Sequence, residues 1–117
     1  HDAVFGMPEV ALGMIPAAGG TQTISRAIGS GRVLELLLTN QRIDAEEALR
    51  IGVVHKIVPR AQLIDKATEM ARRLASFDTD ALAASKEAVR RGLELPMMEA
   101  LKLEERLTVD LLSKRII

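Results

Sequence analysis

Glu9 is the residue of this chain whose sequence neighbours most favour a catalytic role. It stands beside a short apolar run that breaks into a turn rich in glycine and proline. A carboxylate on an apolar stretch loses hydration, and enzymes use such groups to move protons. The loop after it has few bulky side chains, so its backbone N–H groups can approach a ligand or a water closely. Because an isolated Glu near a strand end is more commonly a structural carboxylate, the residues alone leave both interpretations open.

Three short segments around Glu9 resemble a known signature. They are Phe-Gly-x-Pro-Glu at residues 5–9, Leu-Gly-x-Ile-Pro at residues 12–16 and Gly-Gly-Thr-Gln at residues 19–22. This pattern is similar to that of the enoyl-CoA hydratase/isomerase family, also called the crotonase superfamily. The similarity continues, in order, through residues 26–29, 38–43, 45–48 and 52–54 to Lys86 and Glu87. It therefore covers nearly the whole chain.

The resemblance implies an α/β, crotonase-like (ClpP/crotonase) fold, with the last short strands of the β-α spiral followed by a helical C-terminal segment. Residues 1–59 would form the C-terminal part of the core with the Glu9 motif loop, and residues 60–117 a helical oligomerisation segment of the same truncated domain. His1-Asp2-Ala3 lacks a Met and a signal-peptide layout, and Arg115-Ile116-Ile117 ends on apolar groups without a cap. We therefore expect the C-terminal part of a larger enzyme.

The resemblance also implies the chemistry of Glu9. In the family this Glu is one of two carboxylates that act in adding water across the double bond of a 2-enoyl-CoA thioester. The reaction needs a base that activates water, an acid that protonates the α-carbon and donors that stabilise the enolate oxygen. The second carboxylate and the oxyanion-hole segments lie upstream in the family. We therefore expect the 117-residue chain alone to be inactive.

Three further site residues follow from the resemblance. The backbone N–H that holds the catalytic water in the family falls on Ala17, where glycine is common. Such a donor is retained after the change to alanine if the local φ is negative. Gly19 and Gly20 are candidate substrate-binding residues that let the loop pack against the acyl chain, although their first expected role is steric, within the turn.

Other functions stay open at this point. An enoyl-CoA isomerase of the same superfamily needs a single carboxylate to shuttle the proton, and Glu9 alone would suffice. An RNA-binding relative and an assembly module without activity are alternatives of a different class. Two aromatic residues and no concentrated basic strip argue against RNA binding. The complete motif around Glu9 argues against an inactive module.

The composition bounds the class of protein. Sixteen basic and sixteen acidic residues cancel, so no global field favours nucleic acid. No apolar run approaches the ~20 residues that span a bilayer. The chain has no cysteine, and no cluster of His, Asp or Glu has the spacing of a metal site. We therefore expect no metal or other cofactor, and a cytoplasmic location. The resemblance implies an acyl-CoA substrate, of which coenzyme A is a part, and a place in fatty acid β-oxidation.

Hydrophobic periodicity and turn residues predict the elements. Short strands are expected at residues 3–5 and 53–58, the second stopped by Pro59. Gly29 should close the first helix in the left-handed conformation, and the second helix should be mostly buried. The helices are expected at residues 21–28, 32–38, 62–76 and 97–112, with one more between a capping box at Asp44 and Gly52, and another capped by Asp78 or Thr79.

The apolar pattern of the last helix predicts that the protein forms an oligomer. Its apolar residues spread over more than half of the helical wheel, a wider arc than one intramolecular face needs. One side would pack on the preceding helices, and a second side with Leu103 and Leu107 would contact a partner. We expect a homotrimer or a hexamer, as the resemblance implies for these C-terminal helices.

Overall fold

The structure, a computed structural model, describes residues 1–115 and the side chains of residues 1–114. Ile116 and Ile117, which contribute to the expected C-terminal cut, lie outside the described residues. The chain divides into two compact units, residues 1–66 and residues from Ala67 onward. The boundary falls inside a helix, and the expected functional division at residue 59 stays a prediction.

The first unit alternates short helices with two very short strands. Its elements are β1 (Val4–Phe5), α1 (Gly20–Ile28), α2 (Ser30–Leu38), β2 (Ile43–Asp44) and α3 (Ala45–Ile51), with 3₁₀ turns at Glu9–Leu12 and Arg60–Gln62. The strands are antiparallel, with Val4 opposite Asp44 and Phe5 opposite Ile43. This pairing ties the start of the Glu9 motif to the segment that precedes α3.

The core of the first unit lies where α2, β2 and α3 meet. Leu36, Ile43 and Ala48 are buried there, and Phe5 and Met7 pack against them. The capping prediction for α3 is confirmed, because the Asp44 carboxylate accepts the Glu47 N–H at 2.8 Å. The helix ends at Gly52, whose φ of 89° lies in the left-handed region. These contacts hold the motif strand against a packed layer.

The strand predicted at residues 53–58 is wrong. The N–H groups of Val53 and Val54 both donate to the carbonyl of Ala48, at 2.9 and 3.2 Å, and so close the end of α3. A strand forms only where a neighbouring strand accepts its backbone groups. In the described residues β1 pairs with β2 instead, a strand that is too short to produce a visible alternation in the sequence.

Two details of α1 and α2 also differ from expectation. Gly29 has a φ of 86° but a ψ of 150°, so it is not left-handed helical; it serves both as the C-cap of α1 and as the N-cap of α2. The second helix is only half-buried. Val33, Leu36 and Leu37 face the core, whereas Leu34 and Leu38 point outward with 53% and 67% exposure. The five apolar residues of α2 are spread around the helix, but the helix has a single core face.

The second unit is helical. The helix α4 (Leu63–Ala75) crosses the boundary between the units, and α5 (Thr79–Gly92) and α6 (Met97–Arg115) pack together as a hairpin. Asp78 caps α5 by accepting the Ala81 N–H at 2.8 Å. A Cβ on Gly92 would lie 3.7 Å from Cβ of Ala100, so α5 and α6 approach each other closely beside the turn that joins them.

The predicted outer role of Leu103 is wrong. Leu103 is 2% exposed and is the buried residue of the second unit in the described part of the chain, and Leu107 is half-buried. Four outward apolar residues of α6 lie on the opposite side of the wheel: they are Met98, Leu101, Val109 and Leu112. The helix therefore has two apolar faces, as its wide arc indicates, but Leu103 belongs to the inner one.

Candidate active site

Glu9 is the first residue of a 3₁₀ turn, directly after Pro8. Proline suits this position because its missing N–H would have no acceptor there and its φ is already restricted. The turn closes at Gly13, which has a φ of 72°, and the Met14 N–H donates to the Glu9 carbonyl at 3.0 Å. The backbone around Glu9 is therefore held by local hydrogen bonds at both ends of the turn.

The Glu9 carboxylate lacks a hydrogen-bond partner within the part of the chain that the structure describes. Its side chain is half-buried, and Oε2 is buried without a hydrogen-bond partner among the described residues. An unsatisfied buried polar group costs about 1–3 kcal/mol, and more when it is charged. Structural carboxylates are ordinarily paired when buried, so such an atom calls for an explanation, of which a catalytic role is one.

Ala17 presents a free backbone donor in the same loop. It lies in the turn that precedes α1 and is exposed. Its N–H has no acceptor among the described residues. Among the described residues, Asn40 is the one non-glycine residue with a positive φ. The φ of Ala17 is therefore negative. The condition under which alanine keeps the water-holding donor is therefore met.

Gly19 and Gly20 both meet steric demands. Gly19 has a φ of 91°, which side chains rarely adopt, and its carbonyl accepts the Thr23 hydroxyl at 2.9 Å. A Cβ on Gly20 would lie 3.1 Å from Cβ of Pro16 and 3.4 Å from Sδ of Met7. The expected steric role is thus visible, and their contact with substrate stays a prediction.

An apolar cavity of about 300 Å³ opens beside the motif strand. It is lined by Phe5, Met7, Ile24, Leu36 and Ile43, among others. Glu9 does not line it; the cavity and the carboxylate share the motif loop through Met7. A volume of this size is at the lower end of ligand pockets.

Sequence analysis did not single out Met7 or Pro16. The structure brings both to Gly20, although Met7 is 13 positions away along the chain. The available signal was their position, since Met7 lies inside the Glu9 motif and Pro16 directly precedes Ala17. In the described residues, no group of three or more His, Asp or Glu side chains is placed to hold a metal ion.

Comparison with known proteins decides the family. A family model described as enoyl-CoA hydratase/isomerase matches residues 1–116. The chain belongs to the enoyl-CoA hydratase/isomerase family. A probable mitochondrial enoyl-CoA hydratase of Dictyostelium discoideum is 45% identical over 105 residues, which are 90% of this chain and 38% of that protein. A probable enoyl-CoA hydratase of Rhizobium meliloti is 42% identical over 111 residues, which are 95% and 43% of the two proteins.

A solved structure of this family has the same fold. Subunit I of an enoyl-CoA hydratase from Geobacillus kaustophilus matches with a TM-score of 0.90 at 39% identity, over 95% of this chain and 43% of that chain. The expected crotonase-type α/β fold is therefore confirmed. The chain spans about two fifths of the length of the curated relatives it matches. None of the helices in the described residues has the length and apolar character needed to cross a membrane.

Proposed function

We propose that this chain works within an enoyl-CoA hydratase that adds water across the double bond of a 2-enoyl-CoA thioester, with Glu9 as one of two catalytic carboxylates. The observation that carries the proposal is the buried Glu9 Oε2 without a protein partner, placed inside a family motif. The relatives are named enoyl-CoA hydratases, which supports hydration over other reactions.

Each group of the loop has a part in the reaction. The Glu9 carboxylate exchanges a proton with the water or with the α-carbon, which is the work of a general acid or base. The Ala17 N–H donates to the water oxygen and orients it. The second carboxylate and the donors to the enolate oxygen come from residues outside this chain, so the 117 residues alone do not turn over substrate. Coenzyme A enters as part of the substrate.

The apolar cavity beside β1 supports an acyl substrate. Its walls are mostly aliphatic, and Met7 joins it to the loop that bears Glu9. Burial of each CH₂ of an acyl chain contributes about 0.8 kcal/mol, so a cavity of this kind holds a short chain without polar contacts.

Glu9→Gln in the intact protein that contains this chain tests the role of the carboxylate. The change keeps the shape of the side chain but removes the base, so kcat for hydration of crotonyl-CoA should fall at least about a hundredfold with little change in KM. Steady-state kinetics measures both. Glu46→Gln, at an exposed position of α3, is the matched control and should leave kcat unchanged. A fall of less than about tenfold, or roughly 1.4 kcal/mol, would make Glu9 structural.

The isomerase alternative rests on the same carboxylate. The family description covers both reactions, and a proton shuttle between two carbons needs a single carboxylate such as Glu9. Movement of the double bond of a 3-enoyl-CoA, without hydration of the 2-enoyl isomer, would favour it over the hydratase. A salt-sensitive RNA shift without either activity would instead favour the RNA-binding alternative.

We also propose that the protein assembles through copies of itself, as a trimer or a hexamer. The outer face of α6 supports this, since Met98, Leu101, Val109 and Leu112 are 48–66% exposed and lie on one side of the helix. Exposed apolar residues grouped in this way are typical of interaction surfaces.

A further inference from the structure

Gly20 lies where the segment before Glu9 and the segment after Glu9 come together. It is the first residue of α1, and its two closest neighbours come from different segments. Met7 precedes Glu9 by two residues, and the buried Pro16 directly precedes Ala17. A Cβ on Gly20 would stand 3.1 Å from Cβ of Pro16, closer than side-chain atoms normally pack, and 3.4 Å from Sδ of Met7, in van der Waals contact.

The backbone of Gly20 does not itself require glycine. The glycines with positive φ in the described residues are Gly13, Gly19, Gly29 and Gly52, so the φ of Gly20 is accessible to any residue. A helix favours alanine over glycine. The glycine at this position is therefore explained by the space around it.

The two neighbours differ in how they can respond to a Cβ. The Met7 side chain is flexible, and its thioether can turn away. The Pro16 ring is bonded to its own backbone nitrogen, so the ring cannot yield without moving the backbone. The peptide that would move carries the N–H of Ala17.

We propose that Gly20 is a positioning residue, which holds the Ala17 N–H in place relative to the Glu9 carboxylate by letting Pro16 and Met7 close against the first turn of α1. This role rests on the proposed function, because it acts through the two groups that handle the water. In this role Gly20 acts through Pro16 and Met7, which are the nearest neighbours that a Cβ would meet.

Gly20→Ala in the intact protein tests the role. The Pro16 ring must shift by a few tenths of an ångström, which should lower kcat about tenfold while KM for crotonyl-CoA changes less than about twofold. The control is Gly31→Ala, in the first turn of α2, where a Cβ meets nothing within 4 Å. The control makes the same chemical change in a helix and should keep the wild-type kcat. A folded Gly20→Ala protein with wild-type kcat overturns the proposal.

Pro16→Ala provides a second test that does not add volume. It keeps the Cβ but frees φ at residue 16, so the Ala17 N–H loses its fixed direction and kcat should fall while KM is kept. If Gly20→Ala does not fold, this variant decides alone, and an unchanged kcat overturns the proposal. Wild-type kcat in Gly20→Ala together with an inactive Glu9→Gln removes the positioning role and leaves the proposed function standing. An active Glu9→Gln overturns both.

Discussion

The two units of the chain obtain their shape in different ways. In residues 1–66 the hydrophobic core cluster joins residues of α2, β2 and α3, and all four glycines with positive φ in the described residues lie there. In the described residues from Ala67 onward, Leu103 is the buried side chain, and the elements are helices with ordinary backbone angles. The first unit therefore packs several short elements around one core, whereas the second consists of helices, two of which pack together as a hairpin.

This difference matches the location of the candidate catalytic groups, which lie in the first unit. The carboxylate of Glu9 and the free N–H of Ala17 both lie in the irregular segment between β1 and α1. Irregular backbone is where donors and acceptors remain unpaired, because a helix consumes its own. The regular helices of the second unit leave apolar faces rather than polar groups to interact.

The largest expected effect compares one buried leucine from each unit. Leu36→Ala and Leu103→Ala each remove a buried side chain and should cost about 2–5 kcal/mol of local stability. For Leu36, hydrogen exchange of the intact protein should show lost protection in both α2 and α3, because its neighbours Ile43 and Ala48 come from other elements. For Leu103, the loss should be confined to α5 and α6.

The controls for this comparison are exposed residues on the same two helices. Leu34→Ala, at 53% exposure in α2, and Arg106→Ala, exposed on α6 outside its outer apolar face, should change exchange little. If Leu103→Ala also removed protection from α2, the two units would not be separate in stability, and the comparison would fail.

The next effect concerns the outer face of α6. Leu101→Glu with Val109→Glu places two charges on that face, and burial of unpaired charges in an interface is unfavourable. Sedimentation velocity of the intact protein should show a shift from the trimer-based species to smaller ones. Leu103→Glu, in contrast, should disrupt the α5–α6 hairpin itself, because Leu103 is buried within the unit.

Arg106→Glu is the matched control for assembly. It makes the same change in net charge at an exposed position on another side of α6. Its sedimentation should be that of the wild type. A wild-type protein that is monomeric at micromolar concentration would show that this face has another role.

The smallest expected effect is electrostatic and lies on α3. The Arg50 guanidinium donates two hydrogen bonds to the Glu47 carboxylate and so lowers the pKa of Glu47 from its ordinary value of 4.5. A lowered folded-state pKa stabilises the fold above that ordinary value, and the contribution is lost as the pH falls through the lowered pKa. Arg50→Met should reduce the melting temperature by about 1 °C at pH 7, because the pair is exposed.

The pH dependence separates charge from packing. The difference between Arg50→Met and wild type should begin to shrink near the 4.5 of an ordinary glutamate and vanish once the pH is below the lowered pKa of Glu47. Lys86→Met removes an exposed cation that has no ion pair among the described residues, and should show no such dependence. An equal loss of melting temperature for Arg50→Met at pH 7 and at a pH below the lowered pKa of Glu47 would instead assign the effect to packing of the arginine methylenes.

Local signals predicted the helices well. The cap at Asp44, the end of α3 at Gly52 and the cap at Asp78 were all visible in the sequence, because each depends on residues within one helical turn. The strand at residues 53–58 failed for the opposite reason. Apolar β-branched residues suit a strand, but the Ala48 carbonyl takes the N–H groups of Val53 and Val54.

The sequence named the candidate site residues but not the contacts that support them. The motif around Glu9 named the carboxylate and, through the family pattern, Ala17. The contact of Met7 with Gly20 spans 13 positions, and no periodicity reports such a distance. The choice of Leu103 as an outer residue failed because a wide apolar arc does not reveal which of its two sides faces α5.

By itself, the sequence determined the family, the places where helices begin and end, and the carboxylate that stands in the motif. These properties depend on residues that are close in the sequence, because capping, turn and motif patterns act within a few positions. The tertiary structure alone decided that β1 pairs with β2, that Leu103 is the inner leucine of α6 and that Oε2 of Glu9 is buried without a partner among residues 1–114. Burial and pairing arise between residues far apart in the chain, so they become defined only when the chain folds.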